Sequence, residues 1–539
     1  MDAHGHLIVK HDLFNHDGLT QDGIAEAFIE FAKKENLSFF DCGLSGSKNL
    51  TGLYAKHFDE VKYRALLERL EISEVVFSKL NNETRLDAEY FKNENLLLDT
   101  ILKEHKTATI GEFSYVTDGI HTAIDYCGKS RVNLISATSP KENIFDLSRQ
   151  VFISEDAHSK NPRTALKKGD VIVSTVGTIG NCAVVDESVL PANSDRHVGI
   201  IRIEKDFLPY FLSTFLLTKY GKFQTLREST GNVQLNLFLY KIRELIVPCL
   251  AIDFQEVIKV FVKNAHLKLE QSKSTYAQAE NLLLNTLGIA NFSLSSENIN
   301  IKSFKDSFVT TGRLDSEYYQ PKYDELIANI KHFPHKTLSA FIEIYSTGYP
   351  YKSEDYLENS GVPLIRINNI KKGFLDISNT AYLPIEQMSI SQNDIAAEGD
   401  ILLSMSGTIG NTCVIPKGVT ALINQRIMRF TPKNYNPLVL MLMLNSIVGE
   451  LQLERIGTGG VQTNISSNDI SKIIVPILPD ETQNRIANLI QQSFTLKAES
   501  ERLLATAKRA VEIAIETDEQ TAMVYINEQT GEKSCTPKN

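Results

Sequence analysis

The sequence predicts an α+β protein made of two similar β-rich units, each followed by a long helix, with a pseudo-twofold internal repeat. The segment GDVIVSTVGTIGNCAVV at residues 169–185 returns as GDILLSMSGTIGNTCVI at residues 399–415, which is 230 residues later (399 − 169). Both segments place alternating apolar residues around a glycine-containing connection, a pattern typical of a β-hairpin. After each unit, apolar and small residues recur in steps of three and four, which predicts a long helix with a heptad seam.

The repeat keeps its register outside the hairpin segments. RLDAEY at 85–90 returns as RLDSEY at 313–318, GNVQLN at 231–236 returns as GGVQTN at 459–464, and IVP at 246–248 returns at 474–476, each 228 residues later (313 − 85). A period of this size is too long for a solenoid repeat and indicates a duplicated domain.

Each copy carries residues that shape or end its strands. Gly177 and Gly180 in the first hairpin, and Gly407 and Gly410 in the second, are expected to adopt backbone angles that a Cβ atom would forbid. The proline that closes each IVP segment is expected to end an apolar strand.

The two long helices are predicted to pair with each other. Their seams run over residues 255–287 and 483–515, and small residues in the second seam allow a close approach. Antiparallel pairing would place the two β-rich units at opposite ends of the helices. The predicted pairing residues are Ile258, Val262, Leu269 and Leu283 in the first helix, and Ile486, Leu496 and Leu503 in the second.

Composition indicates a soluble, cytoplasmic protein with no membrane partner. No apolar run approaches the roughly 18 residues of a membrane helix, and the first residues lack the pattern of a signal peptide. The six cysteines have no close spacing that would suggest a disulfide framework or a zinc ribbon. The net charge of −10 argues mildly against nucleic-acid binding, although local basic surfaces remain compatible with it.

Catalytic and metal-binding patterns do not emerge from the sequence. GLSGSKN at 43–49 lacks the spacing of a phosphate-binding loop. His4, His6, His11 and His16 have no cysteine partner and no ligand spacing on a helix, so no metal site is predicted. We therefore expect a protein that binds a partner molecule without catalysing a reaction, and no catalytic residue is predicted.

Taken together, these motifs resemble the specificity (S) subunits of type I restriction–modification enzymes. The resemblance covers residues 85–515, and VPILPDETQNRIANLI at 475–490 is similar to the family's Pro-x-x-x-Glu-Gln-x-x-Ile-Ala entry into its helix. The first copy keeps Gln255 of that entry, whereas NSDRHVGIIRI at 193–203 departs from the NQRIMRF strand of the second copy. The resemblance implies target-recognition domains at 85–252 and 305–478, and spacer helices at 253–292 and 479–517.

The resemblance also implies the partners. Each recognition domain would read half of a split target in double-stranded DNA. The chain would recruit adenine-N6 methyltransferase (M) subunits, two of them, and restriction/translocase (R) subunits. S-adenosylmethionine, ATP and magnesium would be bound by those partners, and no cofactor by this chain. Because Lys and Arg contact DNA phosphates, the expected DNA-binding residues are Lys160, Arg163, Lys167, Lys168, Arg366, Lys371 and Lys372.

The two ends of the chain stand outside the repeat. Residues 1–80 form an N-terminal extension similar to the C-terminal tail of N6-adenine methyltransferase subunits, and residues 518–539 form a polar tail expected to be mobile. Two alternatives therefore remain open. The chain could be the specificity part of a fused methyltransferase–nuclease of the type IIG or IIB kind, or a duplicated β-rich scaffold that does not bind DNA.

Overall fold

The computed structural model describes residues 73, 89–128, 130–231, 234–292, 299–357, 360–457 and 464–530. The chain divides into an N-terminal unit, residues 1–106 with 223–229, and a main unit, residues 107–222 with 230–539. Apart from Ser73, the predicted extension at 1–80 lies outside the described residues, as do residues 85–88 of the first RLDxEY motif, residues 232–233 of the first GxVQxN motif and residues 459–463 of the second.

The described part of the N-terminal unit contains helix α1 (Asn93–Lys103). Arg227, from the 223–229 segment of this unit, lies over the ring of Tyr90 at 4.0 Å and donates from Nε to the Tyr90 carbonyl at 3.1 Å. Tyr90 is the tyrosine of the first RLDxEY motif. The second copy repeats the contact, since Arg455 lies 4.5 Å over Tyr318 and donates to its carbonyl at 3.1 Å. The motif tyrosine therefore has a structural role.

The first copy combines strands with short helices. Its strands are β1 (Thr107–Thr109), β2 (Ser114–Asp118), β3 (Val132–Ile135), β4 (Val151–Ile153), β5 (Val171–Ser174), β6 (Cys182–Val184), β7 (Ala192–Ser194), β8 (Val198–Ile203) and β9 (Ile246–Pro248). Its helices are α2 (Ile110–Phe113), α3 (Glu155–Lys160), α4 (Pro209–Leu217), α5 (Lys219–Arg227) and α6 (Leu239–Glu244), followed by the long helix α7 (Ile252–Thr286).

The second copy repeats this plan. Its strands are β10 (His335–Thr337), β11 (Ile342–Ser346), β12 (Val362–Ile365), β13 (Ile370–Lys371), β14 (Phe374–Leu375), β15 (Ala381–Leu383), β16 (Ile395–Ala396), β17 (Ile401–Ser404), β18 (Thr412–Val414), β19 (Ala421–Ile423), β20 (Ile427–Pro432) and β21 (Ile474–Pro476). Its α-helices are α8 (Pro321–Lys331), α9 (Gln387–Ile390), α10 (Pro437–Asn445), α11 (Ile447–Ile456) and α12 (Ser467–Ile470), followed by α13 (Asp480–Glu516) and α14 (Glu519–Thr530). Single helical turns lie at Lys305–Val309, Ser316–Tyr319, Leu338–Phe341, Ser353–Asp355, Ile367–Asn369 and Gln392–Asp394.

One sheet has the same topology in both copies, whereas the three-stranded sheet β4-β3-β7 of the first copy corresponds to a four-stranded sheet, β15-β12-β19-β16, in the second. A four-stranded antiparallel sheet has the order β2-β8-β5-β6 in the first copy and β11-β20-β17-β18 in the second. Val171 pairs with Ile201 in one sheet, and Ile401 pairs with Phe430 in the other. Strand β8, which carries the NSDRHVGIIRI segment, is therefore the counterpart of β20, which carries NQRIMRF. This pairing settles an alignment that the sequence left open.

The predicted hairpins are confirmed. Strand β5 pairs antiparallel with β6, and β17 pairs antiparallel with β18. Gly177 and Gly180 have φ of 76° and 80°, and Gly407 and Gly410 have φ of 68° and 86°. Each of these values lies in the left-handed region that favours glycine, so the expected backbone angles are also confirmed.

The long helices α7 and α13 pack antiparallel against each other, as predicted. Ser500 Oγ on α13 donates to the carbonyl of Ala265 on α7 at 2.7 Å. Seven residues later on α7 and seven earlier on α13, Ser272 lies opposite Ser493. Of the predicted pairing residues, Leu269 and Leu496 are half-buried, whereas the other five are buried: Ile258, Val262, Leu283, Ile486 and Leu503.

Each end of the helix pair packs on one copy. Ala279 and Leu283 of α7 and Ile486 of α13 belong to the apolar core of the second copy. At the opposite end, the main-chain N–H of Leu208 in the first copy binds the side chain of Gln255 on α7, and Lys219 forms an ion pair with Glu516 of α13 at 2.7 Å. The two copies therefore sit at opposite ends of the helices.

The tail expected to be mobile folds in part. Residues Glu519–Thr530 form helix α14, in which Ala522 and Ile526 are buried. Arg502 of α13 donates to the carbonyl of Gln529 at 2.7 Å, so the helix folds back along α13. The polar composition of the tail concealed these two buried apolar residues, which are four apart and share one helical face.

The helices of the described residues differ from membrane-spanning helices in length or hydropathy. No single helix there combines the length and hydropathy needed to cross a membrane, and one pair bent by 61°, Pro437–Asn445 with Ile447–Ile456, meets the requirement by length and composition only.

Candidate functional site

A cleft of about 1480 Å³ in the main unit is lined by loops of both copies. In the first copy, its walls include the segment after β3, the segment leading into β4, and the hairpin turn between β5 and β6. In the second copy, they include the segment after β12, the β13–β14 hairpin, the turn between β17 and β18, and the connection from β19 to β20. Many of the lining side chains are polar or charged. They include Ser136, Lys141, Asp146, Arg149, Thr178, Asn181 and Asp195 from the first copy, and Arg366, Lys371, Lys372, Asp376, Thr408, Asn411, Asn424, Gln425 and Arg426 from the second.

The GTIG turn places equivalent side chains at this cleft. Gly180 N donates to the Ser174 carbonyl at 3.1 Å, and Gly410 N donates to the Ser404 carbonyl at 2.9 Å. These bonds close tight turns, and Thr178 and Thr408 at their tips are exposed. The glycines therefore shape the turn, whereas the exposed threonine side chains are accessible to a molecule bound in the cleft.

The final asparagine of the GxVQxN motif lies beside the same turn. Asn236 bridges to Val176 in the first copy, and Asn464 bridges to Ser406 in the second. The next residue continues the pairing, because Ile465 N donates to the Met405 carbonyl at 3.1 Å. Two motifs that lie 51 residues apart in the first copy (231 − 180) and 49 apart in the second (459 − 410) are thus joined at one edge of the cleft.

The GD dipeptide that precedes each hairpin also has a structural explanation. Asp170 and Asp400 are buried, and each accepts a hydrogen bond from a main-chain N–H three residues earlier, at 2.9 Å. Asp170 pairs with Arg202 at 3.1 Å, and Asp400 pairs with Arg429 at 2.8 Å. Burial raises the pKa of Asp170 despite its hydrogen bonds and the positive charge of Arg202. These carboxylates hold the turn before the hairpin and do not face the cleft.

The cleft is richer in positive charge than the chain as a whole. Among the described residues that line it, six are Lys or Arg and three are Asp, whereas the chain carries a net charge of −10. Two of the cations have carboxylate partners: Lys141 binds Asp146, and Lys372 binds Glu450 at 2.5 Å. Burial acts to raise the pKa of Asp146, but hydrogen bonds from Lys141 and Ser148 lower it to about 2.

Two guanidinium groups in the cleft differ from the paired cations because they have no partner among the described residues. Within the described ranges, the Arg149 and Arg426 side chains form neither a hydrogen bond nor an ion pair, and both residues are exposed. The Nε atom of Arg366 is buried and has no hydrogen-bond partner in the same part of the chain, while its guanidinium lies 5.8 Å from the Tyr356 ring centre. The Arg149 and Arg426 guanidinium groups are therefore available to a ligand that carries negative charge or acceptor atoms, whereas the Arg366 guanidinium also donates to the Asn379 carbonyl at 3.3 Å.

The structure separates the seven residues expected to contact DNA into two sets. Arg366, Lys371 and Lys372 line the cleft. Lys160, Arg163, Lys167 and Lys168 do not; Lys160 pairs with Asp156 at 2.6 Å and Lys168 pairs with Glu187 at 2.6 Å. The role of each residue in DNA contact stays a prediction.

Arg163 and its acidic neighbour belong to the second set. The Arg163 guanidinium donates to Thr117 and, at 2.9 Å, to the carboxylate of Asp118. Burial acts to raise the pKa of Asp118, but hydrogen bonds from His121 and Arg163 and their positive charge lower it. The guanidinium is thus engaged within the first copy.

Sequence reasoning missed several cleft residues. Asn181 and Asn411 follow GTIG in both copies, so their repetition was a usable signal. Arg149 and Arg426 lie in loops without a repeated pattern, and only the tertiary structure brings them to the cleft.

No group of three or more His, Cys, Asp or Glu residues in the described ranges is arranged to hold a metal ion. Burial raises the pKa of the Cys182 thiol to about 12, and burial also raises the pKa of the Cys413 thiol. Both thiols are therefore neutral at physiological pH.

Equivalent glutamines fix each copy to its helix. Gln255 Oε1 accepts from Leu208 N at 2.9 Å, and its Nε2 donates to the Leu250 carbonyl at 2.9 Å. Gln483 Oε1 accepts from Asn436 N at 3.0 Å, and its Nε2 donates to the Leu478 carbonyl at 3.0 Å. Both glutamines are buried. The helices thereby determine where the two walls of the cleft lie.

Comparison with known proteins points to one family. Residues 331–506 match the family model described as the type I restriction modification DNA specificity domain. Over 174 residues, the chain is 28% identical to the type I restriction enzyme EcoAI specificity subunit of Escherichia coli. That match covers 31% of this chain and 29% of the relative. The aligned part is thus less than a third of either protein.

The solved structures to which the chain is similar include two specificity subunits. The type I restriction–modification system S subunit from M. genitalium has 12% identity and a TM-score of 0.34, over 78% of this chain and 95% of that chain. The HsdS subunit from Thermoanaerobacter tengcongensis has 16% identity and a TM-score of 0.26, over 77% of this chain and 97% of that chain. The family-model match and the Escherichia coli relative confirm the resemblance drawn from the sequence: the chain contains, at residues 331–506, a domain of the type I restriction modification DNA specificity family.

Proposed function

We propose that the chain is the DNA sequence-specificity subunit of a type I restriction–modification system and reads a bipartite target in double-stranded DNA. The observation that supports this most directly is a single cleft lined by equivalent loops of two copies. Each copy would read one half-site. The family-model match to a DNA specificity domain supports the same assignment.

The side chains of the cleft suit both parts of DNA recognition. Asn, Gln and Arg can form bidentate hydrogen bonds with base edges in the major groove, and Lys and Arg neutralise phosphates. Asn181, Asn411 and Gln425 provide the first chemistry, and Lys371 provides the second. The excess of cations in the cleft offsets the unfavourable net charge of −10 where DNA would approach.

The symmetry of the helix pair is the observation that supports the binding of two copies of a partner subunit. Because the pseudo-twofold relation presents equivalent surfaces twice, a methyltransferase subunit that binds one surface has a second site available. In this proposal, two adenine-N6 methyltransferase subunits bind the chain, restriction/translocase subunits join them, and the chain itself is not catalytic. Native mass spectrometry of the co-expressed complex should give two methyltransferase subunits per chain; one per chain would contradict the symmetric arrangement.

The test of recognition is selection of bound duplexes from a random DNA library by the full chain, purified with its methyltransferase partner. The expected result is two short defined half-sites separated by a fixed stretch of unspecified base pairs. A chimera in which residues 107–248 are replaced by the corresponding unit of a related chain should change only one half-site. A single contiguous motif, or changes in both half-sites, would contradict independent reading by two copies.

A further inference from the structure

We propose that Arg426 determines the specificity of the second copy by reading a guanine in its half-site. The inference deepens the proposed function and rests on it. It begins with the short connection between β19 and β20, which consists of Asn424, Gln425 and Arg426 and lines the cleft.

The backbone of this connection is fixed at each residue. Asn424 N donates to the Ile365 carbonyl at 2.8 Å, and Gln425 N donates to the Tyr349 carbonyl at 3.1 Å. The Arg426 carbonyl accepts a hydrogen bond from Met405 N at 2.9 Å. The Cα atom of Arg426 is therefore held between two strands. A fixed backbone suits a side chain that must contact the edge of a DNA base with defined geometry.

Arg426 itself has a φ of 68°. A residue other than glycine seldom adopts this left-handed conformation, and such residues concentrate at functional sites. The surrounding hydrogen bonds maintain the conformation, which brings an exposed arginine to the cleft. Over the described part of the chain, its guanidinium forms no hydrogen bond or ion pair.

The equivalent position of the first copy shows why this residue bears on specificity. The pairing of β5 with β8 and of β17 with β20 makes His197 the counterpart of Arg426. The backbone contact is the same, since Thr175 N donates to the His197 carbonyl at 3.1 Å. His197 lacks the positive φ of Arg426 and does not line the cleft, so the two copies differ at this position and can read different bases. By contrast, Asn181 and Asn411 are identical.

The chemistry of the side chain selects the base. Arginine donates two parallel hydrogen bonds to O6 and N7 of guanine, the commonest specific contact in the major groove. A phosphate contact would also use the guanidinium, but it would carry no sequence preference. The two roles therefore predict different results when the arginine is replaced.

The experiment compares Arg426→Gln, Arg426→Lys and wild-type chains in the random-duplex selection. Wild type should prefer guanine at one position of one half-site, by about 5- to 150-fold. Arg426→Gln should lose that preference and favour adenine there, because glutamine pairs with adenine N6 and N7. Arg426→Lys should weaken the guanine preference while retaining most of the affinity, since lysine keeps the charge but lacks the planar fork. The other half-site should not change.

Lys417→Gln is the matched control, because Lys417 is an exposed lysine of the same copy that does not line the cleft, and it should leave the motif intact. Arg426 variants that bind less tightly but select the wild-type motif would show a phosphate contact and overturn the inference. Variants with unchanged affinity and motif would overturn it as well. A wild-type chain that selects no bipartite motif would contradict the proposed function itself, so the two failures are distinguishable.

Discussion

Ser272 and Ser493 each donate a hydrogen bond to the other's main-chain carbonyl, both at 2.8 Å, across the seam between α7 and α13. Their hydroxyl oxygens lie 3.0 Å apart, and both residues are buried. The pseudo-twofold relation turns this pair into Ser500 and Ala265, each shifted by 228 residues along the chain to the other helix (500 − 272 and 493 − 265). Ser500 keeps its bond to the Ala265 carbonyl, and Ala265 has no hydroxyl to return it.

This asymmetry predicts that Ala265→Ser is tolerated. The new hydroxyl can donate to the Ser500 carbonyl, as Ser493 donates to Ser272, so we expect a change of within about 1 kcal/mol in the free energy of unfolding. Urea unfolding followed by helix circular dichroism measures the change. Ala265→Leu is the contrasting variant and should destabilise by about 1–3 kcal/mol, because the seam has no room for added methylenes. Equal destabilisation by Ser and Leu would contradict the close approach at this position.

Ser272→Ala should destabilise the helix pair moderately. It removes one donor to the Ser493 carbonyl and leaves the Ser493 hydroxyl with the reverse bond, so the expected loss is about 0.5–1.5 kcal/mol. In the double variant Ser272→Ala with Ser493→Ala, the two losses should not add, because the hydroxyls share one site. Strict additivity in the same unfolding measurement would show that the two bonds are independent.

Replacement of either buried glutamine should destabilise only the copy to which that glutamine binds. Gln255→Ala leaves the N–H of Leu208 without its acceptor, and Gln483→Ala does the same for Asn436. Each loss of a buried acceptor costs about 1–3 kcal/mol. Hydrogen–deuterium exchange should rise near α4 in the first variant and near α10 in the second. Gln271→Ala, at an exposed position of α7, is the control. Increased exchange in both copies from one variant would argue against separate attachment.

Salt dependence distinguishes the cations that contact DNA. Each phosphate contact contributes about −0.9 to the slope of log K against log salt concentration. Lys371→Gln should therefore make the slope less steep by about 0.9, because Lys371 lines the cleft. Lys160→Gln and Lys168→Gln should leave the slope unchanged, since both ammonium groups have carboxylate partners and lie outside the cleft. The reverse pattern would support the assignment made from the sequence charge run.

The sequence predicted the repeated part of this protein well, because a motif that occurs in both copies can be compared with its counterpart in the same chain. The GD, GTIG and VP segments occur twice, and the structure gives each pair the same role in both copies. The seam of α7 and α13 followed from heptad spacing, which side-chain burial imposes on any paired helices. Leu269 and Leu496 are only half-buried, although they belong to the same pattern.

Sequence reasoning could not predict the contacts that the tertiary structure makes. The charge run at 160–168 suggested a basic surface, but Asp118, Asp156 and Glu187 come from elsewhere or from the adjoining turn to pair with it. Arg426 belongs to no repeated motif, and only the pairing of β17 with β20 brings it to the cleft. Helix α14 was missed because its composition is polar.

The central claim is that two copies read two half-sites at a distance set by α7 and α13. Leu269 and Leu496 lie near the midpoint of the helix pair, and seven residues inserted after each would preserve the seam, because a heptad returns to the same face. The insertion lengthens the pair by about 10 Å at 1.5 Å per residue, or roughly three base pairs at 3.4 Å each. Insertion of one or two residues should instead rotate the seam and weaken folding.

The most direct measurement is therefore the gap between half-sites selected by the seven-residue variant from a random duplex library, or methylated by it together with its methyltransferase partner. We expect both half-sites to keep their sequences while the gap grows by about three base pairs. A folded, active variant that retains the original gap would contradict the claim that the helices set the distance.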